Sequence, residues 1–485
     1  MTILDDRGIF WWNDEDVPDK NFAPEGSIGG KLTIDDNGSV RLELDGIMPS
    51  DNHPFEALVN SGQDINRNIQ GLLTNTGHVL LMNMFKSGGT VRTDNVSREK
   101  YVARQCLVSQ SAFPRDRNAP IKYSAITIDL KGYESWMWLK SINITRQRNS
   151  LIAKYKAPRD RTFILPFGKL YIEHDLLGPY LGHHHGRELA LKEIARLNLR
   201  LSKSISTGEC LKYYQIAQDL LIILTSSDYS LDWPDVIIQG KKQSAKLYFM
   251  HVRSDAKPPE AHECIISFPK IADSFGDLYA AMVERREQYG PGIYLYLATR
   301  RGMKMIVEHR FVNLIWGLEA LNRQDAGASG TEVNMALANK IQRILSQISA
   351  KRDRDWLQGK LRHASEPSLS ERLLSIFSGL PLPFNEAALK NFCIECQSRR
   401  NDISHFGGHR EMGKTYDQFM HDISKKSDAL SALYHLHLLT LIGVDKERFE
   451  LATNHNWAMT KIEWALRAVG LLIPKDERPT TDHEL

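Results

Sequence analysis

The sequence predicts an α+β protein, in which an N-terminal β-rich module is followed by an all-α helical bundle. Before about residue 265, short apolar runs alternate with polar residues and are separated by turn-forming residues, as is typical of β-strands. From about Ile271, apolar residues recur every three or four positions, which is the spacing of amphipathic helices. The segment Gly290-Pro291-Gly292 separates the two patterns. The predicted domains therefore cover residues 1–290 and 291–485.

Two hairpins are the clearest elements of the β-rich module. Residues 31–34 and 40–44 alternate in polarity and flank Asn37-Gly38, a dipeptide that favours tight hairpin turns. Residues 70–74 and 79–85 repeat the pattern around Gly77. One helix is predicted within the module, at residues 209–224. Further predicted strands lie at residues 101–109, 124–130, 150–155, 169–174, 199–206, 236–238 and 245–252.

The second half of the chain carries helical periodicity almost throughout. A short apolar stripe repeated every three to four residues predicts a helix that packs on one face. The predicted helices lie at residues 275–288, 293–322, 334–351, 369–377, 385–406, 417–439 and 446–472.

Composition describes an ordinary globular protein and excludes several classes. The chain has 485 residues, of which 42% are apolar and 25% are charged, and a net charge of +3 that is too small to indicate nucleic-acid binding by itself. Five cysteines, an odd number, disfavour a secreted disulfide framework. The acidic N-terminus is unlike a signal peptide, and no apolar run is long enough to span a membrane. We therefore expect a cytoplasmic protein with no membrane partner.

The stretch Arg400-Asn401-Asp402-Ile403-Ser404-His405 is the candidate active site. Metal-free RNA cleavage needs a group that moves protons and a fixed positive charge on the phosphate. An imidazole at position 405 suits the first task, and the planar guanidinium of Arg400 suits the second. Asn401 precedes His405 by four residues, so its amide lies on the same helical face and could orient the imidazole.

The spacing of Arg400 and His405 raises a geometric difficulty. On a straight helix two side chains five residues apart diverge by about 140°. Either a break in the helix or a second copy of the chain across a two-fold axis would bring them together. We expect a homodimer, with both copies of His405 near the axis. The apolar stripe of the same predicted helix comprises Leu389, Phe392, Cys393, Cys396 and Ile403.

A helical domain ending in Arg-Asn-Asp-Ile-Ser-His resembles the HEPN ribonuclease superfamily. The opening of the chain, Gly8-Ile9-Phe10-Trp11-Trp12 followed by 29–34 and 38–44, resembles the N-terminal domain of the ApeA family of anti-phage proteins. The resemblance implies abortive-infection defence by a dimeric endoribonuclease that leaves 2′,3′-cyclic phosphate and 5′-hydroxyl ends. It implies neither metal nor cofactor, a catalytic role for Arg400, Asn401 and His405, and an N-terminal module that senses a phage protein. Transfer RNA is one candidate substrate, and the oligomer beyond a dimer is left open.

Other motifs have simpler interpretations. Arg399 is a candidate RNA contact. Cys393 and Cys396 have the spacing of half a zinc site, but their place on the apolar stripe favours core packing. His183-His184-His185 lacks a fourth ligand in sequence, so a functional metal there is disfavoured. The mixed charges of residues 351–355 favour a solvated helix face over a phosphate contact.

Two alternatives to the ribonuclease hypothesis remain open on the sequence. The helical domain could be a non-catalytic interaction module in which Arg400 is paired with an acid and His405 is a surface residue. The N-terminal module could also bind a phage component and regulate a separate effector. Trp11 and Trp12 could stack on a base, but a core or interface pair is favoured in a β-rich module.

Overall fold

A computed structural model describes residues 2–18, 22–49, 64–65, 67–90, 97–115, 120–178, 190–301, 305–329, 335–361, 366–406, 413, 415–445 and 457–472. The chain forms two compact units. We call the first the β unit; it comprises Met1–Glu134, Leu139–Gln218 and Tyr229–Lys257. The second, the helical unit, comprises Ser135–Trp138, Asp219–Asp228 and Pro258–Leu485. The predicted domains 1–290 and 291–485 divide the chain at one point, whereas the compact units alternate along it.

Six strands of the β unit close into an antiparallel barrel. Their order is β7-β3-β2-β1-β5-β6, and β6 pairs again with β7 to complete the ring. The barrel strands are β1 (Thr2–Trp12), β2 (Ile28–Asp35), β3 (Val40–Leu44), β5 (Ile69–Leu73), β6 (Gly77–Thr90) and β7 (Arg98–Ser109), with the short β4 (Asp64–Ile65) beside β6. Alternate side chains, among them Leu32, Ile34 and Leu42, are fully buried in one core cluster. Closure gives each of the six barrel strands a paired neighbour on both sides.

The remaining strands extend the sheet from β7. In order from that strand they are β15 (Ser244–Phe249), β14 (Asp235–Ile238), β8 (Tyr123–Asp129), β13 (Lys192–Ile205), β12 (Gly168–Leu177) and β11 (Arg161–Leu165). Two further strands, β9 (Ile142–Gln147) and β10 (Ser150–Tyr155), pair only with each other among the described residues.

The helical unit contains most of the helices. In chain order the helices are α1 (Glu134–Met137), α2 (Thr207–Thr225), α3 (Phe268–Ile271), α4 (Phe275–Tyr289), α5 (Pro291–Arg300), α6 (Val307–Ser329), α7 (Met335–Ser346), α8 (Lys351–Leu361), α9 (Leu369–Ser378), α10 (Glu386–Phe406), α11 (Tyr416–Leu441) and α12 (Trp457–Arg467). Helix α6 packs against α5, α9, α10 and α11, so it lies at the centre of the bundle. Its fully buried residues include Phe311, Leu314, Ile315, Leu318 and Leu321.

The α+β class and the main elements agree with the sequence prediction. Both predicted hairpins form, and Gly38 has a φ of +77°, which explains glycine at this turn. The sequence prediction omitted β1, β4, β9 and β11 as strands. Polar and glycine residues interrupt the alternation of β1, five of the six residues of β9 are exposed, and β11 buries only Leu165, so none of the three shows a clear buried face in the sequence.

Three helical predictions need correction. The predicted helix 293–322 is two helices, α5 and α6, and 334–351 covers α7 only to Ser346 before α8 begins at Lys351. In 293–322 apolar residues continue on both sides of the break, so periodicity alone could not locate it. Of the predicted helix 446–472, residues 457–472 are described, and the helix there, α12 (Trp457–Arg467), ends five residues before the predicted end. Helix α8 buries none of its residues, as the solvated-face interpretation of 351–355 required. No helix within the described ranges is long and apolar enough to cross a membrane.

Candidate active site

Helix α10 is held in the helical unit by the apolar stripe that the sequence indicated. Leu389, Phe392, Cys393 and Cys396 are each at most 4% exposed, and α10 packs against α6 and α9. Burial raises the pKa of the Cys393 thiol to about 12, so it stays protonated and apolar. The described residues contain no group of three or more His, Cys, Asp or Glu side chains that could hold a metal ion. Core packing is therefore the role of the CxxC pair.

Arg400 lies where the buried stripe meets solvent, and its charge is only weakly compensated. Its side chain is 25% exposed, and its Nη2 lies 3.8 Å from Oε2 of Glu319 on α6, at the outer limit of an ion pair. Nη1 donates to the Asn401 amide oxygen at 3.2 Å. The buried Nε has no acceptor among the described residues. A guanidinium with these contacts keeps donors and charge for an anion.

His405 lies in the last turn of α10 and is exposed to solvent. The helix is regular from Glu386 through Phe406, so no break separates Arg400 from His405. The two side chains therefore diverge as they do on any straight helix. The predicted alternative of a helix break between Arg400 and His405 is therefore wrong. The other alternative, a second copy of the chain, stays a prediction.

The amide of Asn401 is half-buried and accepts from Arg400 through Oδ1. This contact orients the guanidinium, which the sequence reasoning did not anticipate. The predicted role of Asn401 in orienting His405 stays a prediction.

Arg399, the neighbour of Arg400, has the opposite environment. It is 7% exposed and its guanidinium contacts two carboxylates, Asp402 at 3.4 Å and Asp422 of α11 at 3.2 Å. The guanidinium also lies over the ring of Phe419 at 5.8 Å from its centroid. A buried, doubly paired arginine joins α10 to α11. This placement favours a structural role for Arg399 over the predicted RNA contact.

Asp402, inside the candidate motif, belongs to the same buried network. It is 5% exposed and its carboxylate pairs with Arg399 three residues earlier. Asp422 also pairs with Lys426, which contacts Glu395 of α10 at 3.1 Å. The i,i+3 spacing of opposite charges was visible in the sequence, but nothing there showed that the pair is buried.

A cleft of about 680 Å³ lies between α6 and the end of α10, beside the candidate motif. Its lining includes Ile306, His309, Asn313 and Trp316 from α6 and the residue before it, together with Ile403 and Ser404 from α10. Trp316 is 46% exposed although it belongs to the central helix of the bundle. The sequence analysis did not identify the cleft residues. Trp316 lies among apolar residues of α6, so the pattern predicts that it is part of the core.

The remaining predicted motifs are placed as follows. Trp11 and Trp12 are 1% and 6% exposed, and the Trp12 indole donates to the Pro49 carbonyl at 2.7 Å, so both are core residues of the β unit. Residues 183–185, the histidine triplet, lie outside the described residues, as do Gly407 and Gly408 after the motif.

Two family models match the chain. One, described as ApeA N-terminal domain 1, matches residues 7–281, which is more than half of the chain. The other, described as Apea-like HEPN, matches residues 312–448, a range that contains Arg400 through His405 and most of α6 and α11. No curated protein and no solved structure matches the sequence.

Proposed function

The chain belongs to the ApeA family and carries an ApeA-like HEPN domain, and on this premise we propose that it is an anti-phage endoribonuclease that cleaves RNA without a metal. The observation that carries the proposal is the Arg400 guanidinium, whose only carboxylate neighbour among the described residues is 3.8 Å away. A guanidinium whose charge is not neutralised by a close carboxylate can bind a phosphate group. The match to the Apea-like HEPN model covers Arg400 through His405 and supports nuclease chemistry at this motif.

In the proposed reaction, the ribose 2′-oxygen attacks the adjacent phosphorus while a base removes its proton. The bond from phosphorus to the 5′-oxygen breaks, and that oxygen takes up a proton. The products are a 2′,3′-cyclic phosphate and a 5′-hydroxyl end. His405 moves the protons, since imidazole can take up and release a proton near neutral pH. Arg400 stabilises the negative charge that develops on the phosphate oxygens.

We propose that the active unit is a homodimer. Arg400 and His405 of one chain diverge on the regular helix α10, so one chain cannot surround a phosphate with both groups. A two-fold axis near His405 would place one imidazole to accept a proton and the second to donate one. Asn401 maintains the orientation of Arg400 in each chain through its 3.2 Å contact.

The N-terminal β unit would hold the nuclease inactive until it recognises a phage component. The family match over residues 7–281 supports a role in defence. Transfer RNA is a candidate substrate, because its cleavage would stop translation in the infected cell.

The test is to express the wild type, Arg400→Ala and His405→Ala, to infect the cells with phage so that the trigger is present, and to sequence RNA by its 5′-hydroxyl ends. We expect each substitution to lower cleavage by about 100-fold or more, the usual contribution of a general acid/base or a charge-stabilising donor. Wild-type cleavage in vitro should persist in a chelator. Arg352→Ala on the exposed helix α8 and His421→Ala on the surface of α11 are matched controls and should cleave normally.

Two outcomes would contradict the proposal. If both Arg400→Ala and His405→Ala cleave like the wild type, the site is elsewhere. If the chelator abolishes wild-type cleavage, the mechanism requires a metal. Phage protection that persists in both variants, without any 5′-hydroxyl ends, would instead indicate the non-catalytic interaction module.

A further inference from the structure

Several residues that line the cleft between α6 and α10 lie within about one helical turn of Arg400 on α10 or of Glu319 on α6. His309, Asn313 and Trp316 are spaced by four and three residues, so they share one face of α6. Glu319, three residues after Trp316, lies on the same side and is the carboxylate nearest to Arg400. On α10, Ile403 and Ser404 follow Arg400 by three and four residues and line the cleft. The cleft therefore lies on the faces of α6 and α10 that also carry Glu319 and Arg400.

The chemistry of the cleft suits a planar heterocycle with polar edges. Trp316 offers a large aromatic surface that is 46% exposed, and aromatic side chains are the usual stacking surfaces for unpaired bases. The Asn313 amide donates to the Met305 sulfur at 3.4 Å. A thioether is a weak acceptor, so a base edge can replace it. The Ser404 hydroxyl and the His309 ring add further polar groups at the walls.

The size and shape of the cleft favour a small ligand over a second protein surface. Its volume of about 680 Å³ lies within the range of about 300–1,000 Å³ that is usual for small-ligand sites. At a two-fold interface the same patch meets itself, and two concave patches on the axis cannot fill each other. A nucleotide whose phosphate contacts Arg400 can fill the cleft with its base. The negative charge of the phosphate then complements the positive charge of the guanidinium.

We propose that this cleft binds one nucleobase of the RNA substrate beside the scissile phosphate, with Trp316 as the stacking surface. The inference rests on the proposed ribonuclease function, since it names where that enzyme holds its substrate. Trp316 is a substrate-positioning residue here, and it takes no part in proton transfer. Stacking on Trp316 sets the register of the RNA strand, so that one ribose lies against the phosphate bound by Arg400.

The experiment measures RNA binding in full-length protein that carries His405→Ala, so that cleavage does not interfere. The probe is a fluorescently labelled single-stranded RNA of about ten nucleotides, followed by anisotropy. Adding Trp316→Ala should weaken binding about ten-fold, in the range measured when a stacking aromatic is replaced by alanine. Trp316→Phe should restore most of the affinity. Trp356→Ala, which removes a 64% exposed tryptophan from α8, is the matched control and should bind like the parent.

A second arm tests for a base rather than general RNA affinity. The same RNA is prepared with a single abasic nucleotide at each position in turn. In the His405→Ala parent, one position should lower the affinity about ten-fold, because the stacked base is missing. With Trp316→Ala added, that position should no longer matter, since the two changes remove the same contact. Light scattering on each variant reports the oligomeric mass.

Several results would overturn the inference. It is wrong if Trp316→Ala binds RNA as tightly as the parent, if no abasic position couples to it, or if the parent binds no RNA. A fall in oligomeric mass on Trp316→Ala would assign the cleft to a protein interface instead. The proposed function is judged separately by wild-type cleavage. If the wild type cleaves RNA but Trp316→Ala does not change RNA binding, only the inference is refuted. If an abasic position couples to Trp316→Ala but the wild type does not cleave RNA, only the proposed function is refuted.

Discussion

At the residue scale, two adjacent arginines of α10 have different roles because their surroundings differ. Arg399 faces α11 and is neutralised by Asp402 and Asp422 within 3.4 Å, whereas Arg400 faces α6, and its one carboxylate neighbour among the described residues is Glu319 at 3.8 Å. Burying a charge requires close partners, so Arg399 is committed to the fold. Arg400 retains capacity for a ligand. The sequence shows two identical side chains, and one helical step of about 100° separates their functions.

Another residue whose surroundings decide its chemistry is His435 on α11. It is 3% exposed, its Nε2 donates to the Ile223 carbonyl at 2.7 Å, and its Nδ1 accepts from the Tyr296 hydroxyl. Burial, with a smaller contribution from Arg300, lowers the pKa of His435 from 6.5 to about 3. The ring is therefore neutral in the folded protein and charged in the unfolded chain at mildly acidic pH.

We predict that this histidine makes the protein acid-sensitive. Below pH 6.5 His435 takes up a proton in the unfolded chain, whereas in the folded chain it takes up that proton only near pH 3. The free energy of unfolding thus falls by about 1.4 kcal/mol per pH unit from this group alone. In His435→Gln the group no longer titrates, so the difference in Tm between wild type and variant should shrink from pH 7 to pH 4. Calorimetry at several pH values checks this.

The control for the pH prediction is His262→Gln, which removes an exposed histidine and leaves His435 in place. Because the buried ring of His435 is unchanged, this variant should lose stability towards pH 4 as the wild type does. A difference in Tm between wild type and His435→Gln that is constant from pH 7 to pH 4 would refute the prediction.

At the element scale, the packing of α6 against α11 depends on a close approach at Gly317. A Cβ at this position would lie 3.0 Å from two ring carbons of Tyr434 and closer still to its hydroxyl oxygen. Tyr434 is fully buried and its hydroxyl donates to the Gly292 carbonyl, so the ring has no room to move. Helix α6 also carries Glu319 and Trp316 of the candidate site, so its position sets the geometry there.

We therefore expect Gly317→Ala to destabilise the helical unit by about 1–3 kcal/mol through overpacking, despite the better helix propensity of alanine. Gly359→Ala in α8 is the matched control, because a Cβ there meets no atom within 4 Å. That substitution should stabilise the chain by up to about 1 kcal/mol. Thermal unfolding of the two variants measures both effects, and an increase in Tm for Gly317→Ala would refute the packing argument.

At the scale of the whole molecule, the helical unit is assembled from segments far apart in sequence. Asp219, from the chain segment between two parts of the β unit, is fully buried and pairs with Arg286 and Arg301. The Ile223 carbonyl that accepts from His435 comes from the same segment. A boundary at residue 290 would separate Asp219 from Arg301 and the Ile223 carbonyl from His435, so the full chain is the appropriate unit for experiments.

The proposed homodimer makes a prediction at the same scale. If the two copies of His405 meet near the axis, His405→Cys should form an intermolecular disulfide under mild oxidation, because this needs Cα atoms within about 7 Å. His421→Cys, also exposed, is the control and should cross-link more slowly. The five native cysteines are buried and should not compete. A monomeric mass by light scattering would refute the dimer, and equal cross-linking of the two variants would refute the placement of His405 near its axis.

Local patterns predicted most of the elements but little of the site. The Asn37-Gly38 turn, the stripe through Leu389 and Cys396, and the helix ending at the motif all follow from periods of two or 3.6 residues and from turn preferences. The break between α5 and α6 did not follow, because apolar residues continue on both sides of it. Nor did the burial of Asp402 or the exposure of Trp316.

The sequence by itself determined the α+β class, the two hairpins and most of the helices. These depend on side-chain periodicity and local conformational preference, which act between residues close in the chain. Only the tertiary structure decided that six strands close into a barrel, that Arg399 is buried while Arg400 is not, and that Trp316 lines a cleft beside the motif. Burial, ion pairing and cavities depend on which distant segments pack together, and that information is absent from any short stretch of the chain.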